Sequence, residues 1–502
     1  MAKTSRRQAA VPSALGIELS RGNGHPLFMQ LHEQIVDQIA AGELAPGTRL
    51  PPVRKLARQL DINPMTVAKA YKDLAEKGFV ESRAGGGTHV RSPNSPVARR
   101  PRAAREELID RPLLSERLFE LAHAPGVIAF TGNFPTVDKA CIEELRTCVA
   151  AVMGADLQPL LNYDPPTGSP ELRRRITDYL GAHGIAVSPD ELIVTAGAQQ
   201  AIELTIRCLV PPGAPVVIER PCYYGVINSL RSVRARILEV PMEDDGMDME
   251  VLESYLSRHR PRLIYTNPTF QNPTGMTTSE EKRRTMLALA RKYGAAILED
   301  DHSSELRFAG RSLPSIRALA EPDDAVFLAR GFGKVFLPGT RLGYLVVPTH
   351  ARRPLLAMKA HADLHTNTIM QEAMALFLAR RNFGSILERM KKHYGAKQRR
   401  LVENLTRGMP PGTEIGKPEG GLSLWLTLPE GTEVSELYFR AVRRGVAFVA
   451  GEVFYASHVN PRTLRVSFGL VSDEVLDEGV NRLCSVANDL MRPRSASSPV
   501  FI

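Results

Sequence analysis

The stretch GFGKVFLPGTRLGY, residues 331–344, sets a lysine, Lys334, and an arginine seven positions on, Arg341, between apolar segments. Upstream, an apolar run at 295–298 leads to the acid pair Asp300 and Asp301, and the turn-forming hexapeptide FQNPTG occupies 270–275. Short apolar runs recur around these positions, at 192–195, 215–218, 263–266, 295–298, 326–329 and 342–347. Most are followed by helix-like periodicity, which predicts an α/β unit with a mostly parallel sheet. From about residue 370 the pattern predicts a long helix over 371–407 and then an α+β tail. Strands are expected in that tail near 422–428, 446–449 and 463–468. There is no internal repeat.

A chain of 502 residues is too long for one ordinary domain. Its 43% hydrophobic content is that of a globular protein. The net charge of +9 is unevenly placed: residues 1–105 carry 17 Lys+Arg against 8 Asp+Glu, and the rest carries 47 of each. Excess positive charge confined to one end is the footprint of a nucleic-acid-binding module joined to a neutral partner. The five cysteines, Cys141, Cys148, Cys208, Cys222 and Cys484, form no close pair. That spacing argues against a disulfide framework or a zinc site and fits a reducing cytosol. The first 25 residues lack the apolar core of a signal peptide. No apolar run approaches the roughly 18 residues needed to span a bilayer. A cytoplasmic location is expected.

The basic end has a pattern of its own. Leu27, Leu31, Ile35 and Ile39 recur at spacing four before Gly42, which predicts a first helix over 27–41. Residues 52–60 predict a second. Asn63-Pro64 opens a third, because Asn is a favoured N-cap and Pro is tolerated at the first helical position. Val67, Tyr71 and Leu74 are its expected buried face, and Gly78 its stop. Residues 79–81 and 88–90 flank Gly85–Gly87 and predict a β-hairpin wing. This gives a DNA-binding unit at 21–91 and a Pro-, Ser- and Arg-rich linker at 92–112. A third unit spans 113–490, with a large part at about 150–370 and a small part at about 113–149 and 371–490.

Residues 26–91, including PPVRKLARQLDINPMTVAKAYKDL at 51–74, resemble without a gap the winged-helix domain of the GntR family of bacterial regulators. The resemblance implies a double-stranded DNA operator as partner and a third helix whose N-terminal part enters the major groove. Thr66 and Lys69 would face outward there, and Val67 and Tyr71 inward. Arg54 would reach phosphate or a base edge, and Arg83 and His89 would lie on the wing. Lys72 and Arg58 would contact phosphate, which positions the protein without reading sequence. Pro52 stands where the family usually has a capping Ser.

Residues 113–490 resemble the fold-type I aminotransferases, and the fusion of the two units is that of the MocR subfamily of GntR regulators. The resemblance implies pyridoxal 5'-phosphate as cofactor, with Lys334 as the Schiff-base lysine. Arg341 would grip the phosphate as a fork of donors. Asp300 would pair with the pyridine nitrogen, and Asn272 of the NPTG turn would donate to the phenolate. Tyr223, in ERPCYYG at 219–225, would stack on the ring. Gly197, Ala198 and Gln199, in TAGAQQAIEL at 195–204, would offer a helix start to the phosphate. Tyr163, in NYDPPTG, would reach the phosphate of a neighbouring subunit in a homodimer. Arg465, in LRVSFG, would take the α-carboxylate of an amino compound. The sequence departs from the family at two places: Gly331 and Gly333 replace serines, and His302 replaces a tyrosine beside the phenolate. Losing the first serine removes a charge-assisted hydrogen bond, worth roughly 1.5–3 kcal/mol.

Three functions fit these features. One is a transcriptional regulator that senses an amino compound or the cofactor itself. The second is an active aminotransferase carrying an incidental DNA module. The third is a DNA-binding protein with an empty aminotransferase-like fold. The intact winged helix and the glycines beside Lys334 favour the first.

Overall fold

The computed structural model describes residues 17, 19, 27–40, 44–45, 47–76, 79–83, 87–90, 125–137, 139–334, 337–380, 383–457 and 459–491. The chain divides into two units, Met1–Arg102 and Ala103–Ile502. The expected linker at 92–112, the glycines Gly42, Gly78, Gly85 and Gly86, and residues 21–26 and 113–124 lie outside the described residues.

In the first unit, α1 (Leu27–Ala40), α2 (Val53–Gln59) and α3 (Pro64–Glu76) precede a hairpin of β1 (Val80–Arg83) and β2 (Gly87–Val90). The spacing-four stripe does what it predicts: Leu31 and Ile35 are buried against Leu56, Val67, Ala70, Tyr71 and Leu74. Asn63 caps α3 with its side chain, accepting from the Met65 N–H at 2.8 Å. Pro52 caps α2 without a side-chain hydrogen bond, although its carbonyl accepts from Lys55 and Leu56 N–H. Tyr71 reaches from α3 to the segment before α2 and donates its hydroxyl to the Pro51 carbonyl at 2.9 Å. The two strands are antiparallel, with Glu81 opposite His89.

The second unit is built on an eight-stranded sheet of order β4-β11-β10-β9-β8-β5-β6-β7. The strands are β4 (Leu192–Thr195), β5 (Pro215–Arg220), β6 (Arg236–Glu243), β7 (Gly246–Met247), β8 (Leu263–Thr266), β9 (Ala296–Asp301), β10 (Val326–Gly331) and β11 (Gly343–Val346). The run β6-β5-β8-β9-β10 is parallel, while β11, β4 and β7 pair antiparallel. Strands with both faces covered read as short apolar runs, which is why the edge strand β4 and the central strands β8 and β9 are visible in the sequence. All their residues are buried. Strand β6 escaped the sequence reading because its neighbour toward the edge, β7, is only two residues long. Its RILEVPME sequence mixes charged and apolar positions accordingly.

A smaller sheet of order β12-β13-β16-β15 forms the second lobe of this unit. Its strands are β12 (Glu414–Ile415), β13 (Ser423–Thr427), β15 (Val449–Ala450) and β16 (Thr463–Ser467). Strand β3 (Ile128–Ala129) pairs in parallel with β14 (Val446–Ala447), so the start of the unit is tied to its end. The expected single helix at 371–407 is two, Thr368–Ala379 and Phe383–Gly408. Arg380 turns to extended backbone at the break, with ψ 139°. Three polar residues, Arg380, Arg381 and Asn382, interrupt the apolar period there.

Replacing Tyr71 by Phe is expected to cost the first unit about 1 kcal/mol, because the Pro51 carbonyl loses its donor. Denaturant unfolding of the full chain, followed by loss of DNA binding, measures this.

Candidate functional site

Parallel strands all end on the same edge of a sheet, and ligands bind beyond that edge in open α/β folds. The residues singled out in the sequence are scattered over some 300 positions, yet the sheet gathers them there. Strand β4 ends two residues before Gly197, β5 before Tyr223, β8 before the NPTG turn, β9 one residue after Asp300 and β10 just before Lys334. Arg465 comes from the other lobe, on β16, and is buried.

Asp300 is 5% exposed. Its Oδ2 accepts from the Tyr265 hydroxyl at 2.7 Å, and its Oδ1 is buried with no partner. Burial pushes its carboxyl up to about 6, against the Tyr265 hydrogen bond and the Lys334 charge, which pull it down. Lys334 donates its ammonium to the Asn133 carbonyl. Burial, and then the positive charge of Arg465, bring the lysine down to about 7, with Asp300 opposing. A lysine so depressed is half neutral near pH 7 and able to act as a nucleophile.

Arg465 donates to Asn272 Oδ1 at 2.7 Å and to the Thr131 carbonyl at 3.0 Å, and its guanidinium lies 5.0 Å from the Phe454 ring centre. Because the Asn272 oxygen is taken, its Nδ2 is the end left to donate. His302 receives Asn267 Nδ2 on its Nδ1 at 3.0 Å. Burial, and then the Lys334 charge, hold the imidazole down at about 3, so it is neutral near pH 7. Tyr223 caps the helix Tyr224–Ser232, and a Cβ on Gly225 would run into its ring at 2.5 Å.

The helix Ala198–Leu209 starts at Gly197, whose φ of +91° favours glycine and which gives no side-chain cap. Three glycines crowd this start. A Cβ on Gly343 would stand 2.8 Å from Ala198 N, one on Gly331 3.2 Å from the same atom, and one on Gly197 3.2 Å from Arg341 Nη2. Arg341, in the left-handed region at φ +52°, donates to the Ala196 carbonyl at 3.1 Å. Gln199 donates to Ser229 Oγ at 3.2 Å, and its Oε1 is buried without a partner. Tyr163 stands apart from this group: it is 83% exposed, its ring edge-on to His365.

Sequence reasoning missed the residues behind these. Glu219 accepts from Thr266 Oγ1, Asn267 N–H and Gln271 Nε2, at 2.7, 2.9 and 3.0 Å, and so pins the NPTG turn to the end of β5. Burial pushes its carboxyl up to about 7. A signal existed: a glutamate directly after the apolar run 215–218 is out of place in a covered strand unless it has buried donors to meet.

On the first unit, Arg54, Arg58, Lys69 and Lys72 are exposed and Thr66 is half-buried. The Lys69 ammonium sits 3.7 Å from the centre of the Phe28 ring. His89 is half-buried, its Nδ1 without a partner, and its backbone bridges to Arg49. Arg83 belongs to β1, and its side chain lies outside the described residues.

The pattern of the family described as aminotransferase class I and II matches residues 125–483, and that of the gntR family of bacterial regulatory proteins matches residues 28–90. The 2-aminoadipate transaminase of Thermus thermophilus is 34% identical over 73% of this chain and 91% of its own. The probable rhizopine catabolism regulatory protein MocR of Rhizobium meliloti is 29% identical over 93% of this chain and 95% of its own. Among solved structures, Pyrococcus horikoshii kynurenine aminotransferase, crystallised with PMP, superposes with a TM-score of 0.71 at 30% identity. That match covers 76% of this chain and 95% of the enzyme. The chain belongs to the class I and II aminotransferase family, in the MocR-type form that carries a GntR winged helix. No helix among the described residues is long and apolar enough to cross a membrane, and no cluster of metal-ligating side chains occurs among them.

The donor set fits a pyridoxal-type phosphate ester. A buried acceptor, Asp300 Oδ1, lacks a donor, a helix start lacks a side-chain cap, and glycines let the neighbouring backbone approach that start closely. In the cofactor-free protein, acylation of Lys334 should titrate with a midpoint near 7, where ordinary lysines titrate near 10.4. In Asp300→Asn the midpoint should fall further, since the Asp300 charge raises it. Peptide mass spectrometry across a pH series reads both.

Proposed function

We propose that this protein is a DNA-binding transcriptional regulator whose aminotransferase-like unit, within 113–490, holds pyridoxal 5'-phosphate and responds to a small amino compound. Its response reaches the head at 21–91 through the linker at 92–112. The observation that carries this reading is Asp300 with a free buried oxygen, sharing its pocket with a depressed lysine, in a chain that also bears a winged helix.

When bound, the cofactor supplies an electrophilic carbonyl and an electron-withdrawing ring. Lys334 is its covalent anchor. Asp300 Oδ1 accepts from the pyridine N–H, and Asn272 Nδ2 and His302 donate to the phenolate. The amides of Gly197, Ala198 and Gln199, with Arg341, hold the phosphate. Tyr223 covers the ring face. The exposure of Tyr163 supports a homodimer in which it serves the neighbouring subunit. Arg465 takes the carboxylate of the amino compound, and to do so it must share or release Asn272 and the Thr131 carbonyl. That exchange spans two lobes, giving the ligand a differential contact with which to shift a conformational equilibrium. In the head, Thr66, Lys69 and Arg54 face base edges, Lys72 and Arg58 face phosphates, and Arg83 and His89 form the wing contact. Two heads of a dimer read paired half-sites.

The intact set of Asp300, Lys334 and Arg465, with a transaminase relative at 34% identity, also favours a second reading as an active aminotransferase. Steady-state assay with amino donors and an oxo-acid acceptor separates the two. Sustained turnover at ordinary enzyme rates supports the enzyme, while a single conversion per bound cofactor supports the regulator.

The wild-type protein mixed with pyridoxal phosphate should develop a visible absorption band that Lys334→Ala lacks; no band in either would leave the unit an empty fold. Gly331→Ser should tighten retention of the phosphate about tenfold or more, read by dialysis. Lys72→Ala should weaken operator binding evenly across sequences and reduce the salt slope by about 1, read by titration at several salt concentrations.

A further inference from the structure

His302 follows Asp300 and Asp301 directly and is linked to the same network through Asn267. A neutral imidazole donates from only one nitrogen, so which nitrogen holds the proton decides what the ring offers the pocket. Its neighbour Asn267 settles this through a closed set of hydrogen bonds. Asn267 Oδ1 accepts from the Asn272 backbone N–H at 2.7 Å. Asn267 Nδ2 donates to the Asp300 carbonyl and to His302 Nδ1. Turning the amide over would set Nδ2 against an N–H and Oδ1 against a carbonyl, two repulsive contacts with backbone groups that cannot exchange roles. The backbone therefore fixes the amide, and the amide makes His302 Nδ1 an acceptor.

We propose that Asn267 is a positioning residue that locks His302 as the Nε2–H tautomer, making the ring a fixed hydrogen-bond donor to the pocket. Asn267 is itself held by Glu219, which accepts its backbone N–H at 2.9 Å. Among the described residues His302 Nε2 has no protein partner, so its proton is free for an anionic oxygen. Together the two residues make one directed donor: histidine supplies the proton and asparagine its direction. That this donor meets the phenolate of pyridoxal phosphate rests on the function proposed above. The tautomer itself does not, and it holds in the cofactor-free protein.

The test is a long-range 1H–15N spectrum of the cofactor-free full chain labelled at its 12 histidines, with His302→Gln identifying the signal. Near neutral pH the expected pattern is a single Nε2–H tautomer. In folded Asn267→Val, which removes the donor, the signal should move to a mixture or to Nδ1–H. An Nδ1–H pattern in the wild type, or a variant spectrum unchanged from it, overturns the proposal. If Asn267→Val fails to fold, the wild-type spectrum alone decides. A second measurement uses affinity for pyridoxal phosphate. Asn267→Val should lose about ten- to hundredfold, and Asn267→Val/His302→Tyr should recover most of it, because tyrosine needs no tautomer partner. Absence of recovery in a folded double variant counts against the donor role. Failure of the wild type to bind pyridoxal phosphate would sink the cofactor reading and leave the spectrum to judge the tautomer.

Discussion

A carboxylate and an amine share one dry space at the C-terminal edge of the large sheet, and neither has the charge it would choose in water. Asp300 is raised and Lys334 lowered, in both cases chiefly by burial, and each charge partly relieves the other. Such a pair is tolerable only if the remaining lone pairs and protons are met. Tyr265 meets one carboxylate oxygen and the Asn133 carbonyl meets the lysine. The other carboxylate oxygen is left open. Buried acceptors without donors are rare in native folds and call for an explanation. A ligand bearing a ring N–H provides one, and the fold is arranged to keep that oxygen waiting.

The support extends outward in layers. Asp300 is held by Tyr265 from the adjacent strand, Asn267 by Glu219 from the strand beyond, and Glu219 by Thr266 and Gln271 as well. These bonds tie the end of β9 to β8 and the end of β8 to β5, so the edge behaves as one polar network, with Glu219 and Asp300 both buried. Partly satisfied networks of this kind are costly and fully satisfied ones rigidify. Arg465 adds the other lobe through Asn272. The link between lobes thus runs through the same asparagine whose backbone fixes Asn267.

Much of this was legible in the sequence, and the division is physical. Lys334, Asp300, Asn272, Arg341 and Arg465 lie in short strings whose chemistry and order identify them. The sheet showed itself because its central strands are buried on both faces. What stayed hidden depends on partners distant in the chain. Tyr265 matters because of a residue 35 positions on, and Glu219 because of Thr266, 47 positions on. Nothing local to Asn267 reveals that it orients a histidine. The spacing predicts one helix over 371–407 because apolar residues keep helical period on both sides of a short polar interruption, which the chain uses as a break between two helices. Tyr163, expected from its motif to serve a neighbouring subunit, is 83% exposed and stands apart from the other pocket residues.

The three glycines at the start of the helix Ala198–Leu209 answer to different constraints. Gly343 is imposed by packing: a Cβ there would fall 2.7 Å from the Arg330 carbonyl oxygen and from Gly197 C, both backbone atoms that cannot step aside. Gly197 is imposed by its φ of +91°. Gly331 is under neither compulsion. Its φ does not require glycine, and a Cβ would stand 3.2 Å from the Ala198 backbone N, so the helix start would have to yield by a few tenths of an ångström. A serine there would bring a hydroxyl to the cradle, and glycine brings none. A catalyst gains from holding its cofactor through many turnovers. A sensor whose signal includes the cofactor's arrival and departure gains from a cradle with one donor fewer, and glycine at 331 gives this chain that cradle.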